Sequence, residues 1–229
     1  MSTSYNTILG TDTANTLVGT SGADSISALE DNDTVNGKGG ADIISAGEGN
    51  DSIFSLVSSS GSDVDGGAGN DTLNFAVTLQ SATLGGGLGV DSIILTKSIT
   101  GSSIFGGAGA DTVNLSTNLV GANIYGGGRV GADGSDTINV TGSVSSASIY
   151  GGGTGTSDDG ADSISLGGSL SAGYIQGNKG NDVLNVSTAV KGASTVRGGQ
   201  GNDNIELDSS VTGSTIYGDL GKDTIAISA

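Results

Sequence analysis

Aspartate is the residue type whose placement in this chain could do chemistry. If the Asp or Asn before a Ser/Thr/Ile/Val and apolar pair is taken as an anchor, Asn15, Asp24, Asp33, Asp42 and Asp51 follow at nine-residue intervals. From Asp51 the anchor recurs at Asp71, Asp91, Asp111, Asp136, Asp162, Asp182, Asp203 and Asp223, with spacings of 20, 20, 20, 25, 26, 20, 21 and 20. Several anchors close a glycine-rich turn. Gly66, Gly67 and Gly69 precede Asp71 in GGAGND, Gly106, Gly107 and Gly109 precede Asp111 in GGAGAD, and Gly198, Gly199 and Gly201 precede Asp203 in GGQGND. Glycine permits backbone conformations that aim carbonyl oxygens outward, and the aspartate adds a carboxylate. Such hard oxygen donors suit calcium, which takes about six to eight oxygens at ~2.3–2.6 Å in flexible geometry.

The rest of the composition removes competing chemistries. The chain has no His, Cys, Trp or Pro, so thiol and imidazole metal sites are excluded. There is no nucleophile elbow and no phosphate loop leading into a helix, and the chain reads as a non-enzyme. A polysaccharide-cleaving carboxylate pair is the remaining catalytic option, and nearly all the anchor aspartates are already assigned to calcium. Asp and Glu number 24 against 7 Lys and Arg, a net charge of −17. That balance repels nucleic acid and anionic membranes and strains a compact state unless cations bind. Acid excess with few aromatics also describes disordered chains, but the regular repeat argues for order once calcium is present. An exported chain without cysteine needs another crosslink, for which metal ions are the candidate. The opening MSTSYNTILG has neither the basic nor the apolar region of a Sec signal peptide, and no apolar run reaches membrane-spanning length.

The elements that must position the anchors follow from the apolar residues between them. Two and four residues past each long-coil anchor stand pairs such as Leu73 and Phe75, Ile93 and Leu95, and Val113 and Leu115. This is strand alternation. Eight residues on come Leu79, Ile99, Leu119, Val144, Leu170, Val190 and Val211; thirteen on come Leu84, Ile104, Ile124, Ile149, Ile175 and Ile216, with Val196 one residue late. The expected fold is all-β, a right-handed parallel β-roll or β-solenoid in which each coil supplies two short strands. One domain covers 1–229, with 18-residue coils over 1–60 and coils of about 20 residues, each keeping one GGxGxD turn, over 61–229. About eleven or twelve coils at ~4.8 Å each would give a rod of roughly 55 Å. In the long coils the second turn is made by small residues, as in QSATL, TGSSI and TGSTI, without ligands.

The repeated register GGxGxD followed by alternating apolar residues resembles the RTX family of calcium-binding nonapeptide proteins, over nearly the whole chain. The resemblance implies a β-roll with multiple calcium ions, each held between successive turns, and export without a Sec signal, often by type I secretion. It implies that Asp33, Asp51, Asp71, Asp91, Asp111, Asp136, Asp162, Asp182, Asp203 and Asp223 line one calcium edge, while Asp24 and Asp42 begin a second that soon stops. The turn ALEDND departs from the pattern by lacking its glycines. Two turns, 128–135 and 153–161, are enlarged, and either wrap an extra ion or bulge into solvent.

Two outward columns remain. Phe105, Tyr125, Tyr150, Gln176 and Tyr217 form either a lateral contact stripe that could stack sugars or a ladder covering the sheet. Thr72, Thr112, Thr137 and Thr224 with neighbouring asparagines suggest an ordered-water array, but Ser92, Val183 and Asn204 interrupt it, which favours a polar ladder. With repeats beginning within fifteen residues and running almost to residue 229, no capping segment is evident. The chain is therefore expected to be an extracellular, calcium-dependent structural protein that stacks on itself head to tail into a filament, sheath or surface layer. The alternatives are a secreted ice- or carbohydrate-binding module and a calcium-dependent folding domain of a larger exoprotein. The expected partners are other copies of the chain and a cell-surface polysaccharide.

Overall fold

A computed structural model describes residues 4–55, 59–128, 133–154 and 160–228. Every strand pairing in it is parallel and joins one coil to the next, the topology of a β-solenoid. One face is an eleven-stranded sheet running from Asn6–Leu9 to Thr215–Leu220, and a second eleven-stranded sheet runs from Thr16–Val18 to Thr224–Ile227. A third face of eight two-residue strands runs from Ser59–Ser60 to Val211–Thr212.

This third face corrects the expectation of two strands per long coil. It begins in the first 20-residue coil, between Asp51 and Asp71, and among the described residues has no counterpart in the 18-residue coils. The two added residues thus open a third side, from which Leu79, Ile99, Leu119, Val144, Leu170 and Val190 point inward. Small residues turn the corner after it in the left-handed conformation, with φ of 52° at Ser81, 57° at Gly101, 59° at Gly121 and 49° at Ser146. Eleven strands make ten steps, which at ~4.8 Å each span about 48 Å.

The core is thin and columnar. Ile26, Ile44, Val64, Leu84, Ile104, Ile124, Ile149, Ile175 and Val196 stack in register along the first face. On the second, Val35, Ile53, Leu73, Ile93, Val113, Ile138, Ile164, Leu184 and Ile205 do the same. All are buried, and each fully buried aliphatic contributes about 1.5–3 kcal/mol. A single coil holds only a few, so it has no core without its neighbours. Leu115→Ala is therefore expected to cost about 2–5 kcal/mol, whereas Gln80→Ala, on the outside of the short face, should stay within about 0.5 kcal/mol; urea unfolding in saturating calcium measures both.

Candidate metal-binding edge

The anchors form one column along the rod. The backbone N–H of each donates to Oδ1 of the anchor one coil on: Asp33 to Asp51 at 2.6 Å, Asp51 to Asp71 at 2.8 Å, Asp71 to Asp91 at 2.7 Å and Asp91 to Asp111 at 2.7 Å. The series continues through Asp136, Asp162, Asp182 and Asp203 to Asp223. It starts at Asn15, whose N–H donates to Asp33. From Asp33 to Asp203 these side chains are buried, most of them only 1–2 % exposed.

The second oxygen of each carboxylate has a different situation. Oδ2 of Asp33, Asp51, Asp71, Asp91, Asp111 and Asp203 is buried and accepts no hydrogen bond. Burying an ionised oxygen without a partner is costly, so the group must acquire a proton or a cation. Burial pushes Asp71 and Asp91 up to about 7 and Asp111 to about 6, and the carboxylates of adjacent coils add to the rise at Asp71 and Asp91. Burial and a neighbouring carboxylate also raise Asp51 and Asp203.

The glycines of the turn have separate jobs. A Cβ on Gly66 would stand 2.5 Å from Asp71 Oδ2 and 2.2 Å from the carbonyl oxygen of Gly86 in the next coil. The first glycine therefore leaves open a space bounded by a carboxylate and a carbonyl from two coils. Gly106 and Gly198 stand likewise against Asp111 and Asp203, while Ala28 and Ala46 place a methyl at the corresponding position before Asp33 and Asp51. Gly67 and Gly69 are needed for conformation, at φ of 104° and 130°, as are Gly107 and Gly109, and Gly199 and Gly201. The turn ALEDND reaches the same left-handed backbone without glycine, at Leu29 and Asp31.

Comparison with the opposite edge separates the two carboxylate oxygens by role. There Asp24 N–H donates to Asp42 Oδ1, but beyond Asp42 the column continues as Ser62, Ala82 and Ser102. Serine Oγ accepts the same inter-coil bond, at 3.1 Å from Asp42 N–H to Ser62 and 3.1 Å from Ala82 N–H to Ser102. A hydroxyl thus performs the Oδ1 function and supplies nothing in place of Oδ2. Asp24 differs again, because its Oδ2 accepts from the N–H of Thr20 and closes its own turn at 2.6 Å.

A set of oxygens that includes orphaned buried carboxylate atoms and backbone carbonyls, with space kept by glycine, fits calcium. Among the described residues no three acidic side chains converge on one point, so an ion here must draw on the carbonyls as well. In the enlarged turns, Asp133 folds back to accept from the N–H groups of Gly134 and Gly153; Asp158 and Asp159 lie outside the described residues.

The outward columns are ladders between coils. Phe105 stacks on Tyr125 with ring centroids 4.8 Å apart, and Tyr125 on Tyr150 at 4.9 Å. Tyr174, not singled out by the sequence pattern, tilts onto Tyr150 and donates to Gln176. Arg197 occupies the rung between Gln176 and Tyr217, lies over the Tyr217 ring and pairs with Asp219 through two hydrogen bonds. On the second face Asn139 donates to Asn114, a polar rung of the kind expected.

A parallel solenoid with glycine turns over a buried carboxylate column defines a metal-binding β-roll. The family model for the RTX calcium-binding nonapeptide repeat matches residues 9–44, 29–56, 59–75, 102–116 and 188–209, so the chain carries RTX calcium-binding repeats. No curated protein and no solved structure shows significant similarity to it.

Two outcomes test the column. Asp91→Ser keeps an acceptor for Asp71 N–H and removes the second oxygen, so calorimetric calcium stoichiometry should fall by roughly one ion with the β-signal retained at high calcium. Without calcium, the folded state holds protons on Asp71 and Asp91 up to about pH 7 where the unfolded chain releases them near 3.8. Calcium-free stability is therefore full below that lower value and lost as pH rises through 7. Circular dichroism in EDTA should show β-structure growing as pH falls from 7 towards 4.

Proposed function

We propose that this protein is an extracellular structural element that folds on meeting calcium and then stacks head to tail into a filament, sheath or surface layer. RTX repeats are generally found in secreted proteins and are typically non-catalytic, which suits this role. In calcium-poor surroundings a chain of charge −17 with 44 glycines has strong reasons to stay unfolded. At millimolar calcium, Asp71, Asp91, Asp111, Asp136, Asp162, Asp182, Asp203 and Asp223 would hold ions together with the carbonyls of their turns. Binding energy then becomes folding energy.

The observation that carries assembly is the last coil. Ile205 and Leu207 are completely buried, yet Ile225 and Ile227, one coil on in the same columns, are 44 % and 51 % exposed. The strand holding them, Thr224–Ile227, also presents an unpaired edge in this chain. At the other end Asn6–Leu9 and Thr16–Val18 are edge strands of the same two sheets, with Ile8 and Leu17 only partly buried. Stacking the first coil of a second copy on the last coil of the first would continue both sheets and cover the isoleucines, an open-ended heterologous contact.

The test begins with EDTA-stripped protein to which millimolar calcium is added, with β-structure followed by circular dichroism and particle length by negative-stain electron microscopy. Chelator-sensitive rods are expected. In the double variant Ile225→Asp, Ile227→Asp, calcium should still induce folding but leave single short particles. Monodisperse folded wild-type monomers would reject assembly and turn attention to ligand binding on the sheet faces.

A further inference from the structure

The charges of this chain avoid one broad face. Of its 24 acidic and 7 basic residues, Glu206 alone falls within the eleven strands of the second sheet, from Thr16–Val18 to Thr224–Ile227. The strands of the first sheet, by contrast, include Asp63, Asp65, Lys179, Arg197 and Asp219. Two columns stand outward from the second sheet in register: hydroxyls at Thr72, Ser92 and Thr112, and beside them Asn74, Ile94 and Asn114. All six are at least partly exposed.

Two properties decide what fits this face. Taking water from a charged surface costs far more than taking it from a neutral one, so of the two broad faces this is the one that loses least on drying. The third sheet carries only Lys191, but its strands are two residues wide. Hydroxyl and amide groups each donate and accept. Among the described residues, the one side-chain hydrogen bond between outward groups of this sheet from Thr72 to Asn139 is that of Asn139 to Asn114. The columns repeat once per coil, at ~4.8 Å. A second copy has the same repeat by construction, so two such faces match rung for rung, the same patch on both partners.

We propose that the second face is where two copies lie side by side, each setting its hydroxyl and asparagine columns against those of the other. The face is about 48 Å by ~13 Å, roughly 600 Å². Each partner of a standard interface buries about 800 Å². One copy is therefore short of a firm pair, whereas a rod of several copies exceeds it. The strength of the lateral contact thus rests on the head-to-tail stacking proposed above, and every copy added to a rod multiplies it. Stacking and pairing together produce a two-rod filament.

The variant Asn74→Glu, Asn114→Glu sets like charges across the contact. In negative-stain electron microscopy at millimolar calcium, wild-type rods should lie in pairs and this variant should give single rods of unchanged length. Ser103→Glu with Ser148→Glu, on the first face, should leave the pairs intact. A second measurement uses Ile225→Asp, Ile227→Asp, which blocks stacking. Sedimentation equilibrium of that protein up to about 1 mM should show a dimer that Asn74→Glu, Asn114→Glu weakens about tenfold or more. Because the contact is uncharged, the dimer should change less than about twofold between roughly 50 and 500 mM NaCl. Dimers there without rods from the wild-type chain would reject head-to-tail stacking and leave pairing standing. Single wild-type rods together with stacking-blocked protein that stays monomeric would overturn pairing alone. So would loss of pairs in the first-face variant, or a dimer that salt dissociates. Single rods that coat cellulose or chitin would overturn it in favour of a glycan on the same face. Should the glutamate variant fail to fold in calcium, the concentration and salt series on the unaltered face still decides.

Discussion

Everything in this fold answers to a column of like charges that has been put inside the protein. Parallel coils repeat at ~4.8 Å, so anchors in register bring carboxylates together at about that spacing. At an effective dielectric near 20, two unit charges so placed repel by roughly 3–4 kcal/mol. The column from Asp33 to Asp203 is buried as well, which removes the water that would otherwise soften the repulsion. Hydrogen bonding does not resolve this. Each Oδ1 receives one backbone N–H, but Oδ2 of Asp71, Asp91 and Asp111 receives nothing from the protein. A divalent cation held between turns would answer charge and desolvation together, and one taking oxygens from two coils would also join them.

The opposite edge shows what the chain looks like where that demand is lifted. Ser62 and Ser102 keep the inter-coil hydrogen bond with a neutral hydroxyl, and the turn there shrinks to small residues around a single left-handed position such as Ser81 or Gly121. Backbone geometry alone therefore does not require aspartate at a corner. Retention of aspartate at every anchor from Asp33 to Asp223 on one edge, at the cost of repulsion, is what points that edge to cation binding.

Much of this was legible in the sequence because a solenoid turns one-dimensional spacing directly into three-dimensional columns. The offsets of two, four, eight and thirteen residues from the anchor gave inward positions such as Leu73, Phe75, Leu79 and Leu84, all buried. The third face escaped notice because a two-residue strand such as Leu79–Gln80 is too short to show alternation. Its one inward residue, Leu79, had been placed correctly without the strand around it. The division of labour between Oδ1 and Oδ2 was likewise out of reach, since one letter stands for both oxygens. Tyr174 was missed because it stands before Ile175, in the outward column of Ser148 and Thr195 rather than that of Gln176, and Arg197 because the column was read only for aromatic and amide side chains.

Adhesion between coils is also supplied outside the metal edge, in two forms that divide the rod. Where an asparagine precedes the anchor, its side chain accepts from the next coil: Asn50 N–H donates to Asn32, Asn70 to Asn50 and Val90 to Asn70, and later Asn202 to Asn181 and Lys222 to Asn202. Between these runs the position holds Val90, Ala110, Ser135 and Ala161, where Ser135 Oγ accepts a similar bond from Ala161 N–H at 3.0 Å, and the turns before Asp136 and Asp162 are enlarged. The Phe105, Tyr125, Tyr150 stack spans these middle coils. Side-chain amides thus tie the coils with compact turns, and stacked rings tie those whose turns are longest. In a one-dimensional array the weakest interface sets where the rod opens. Placing the aromatic ladder at the enlarged turns reinforces the steps that lack the amide ladder.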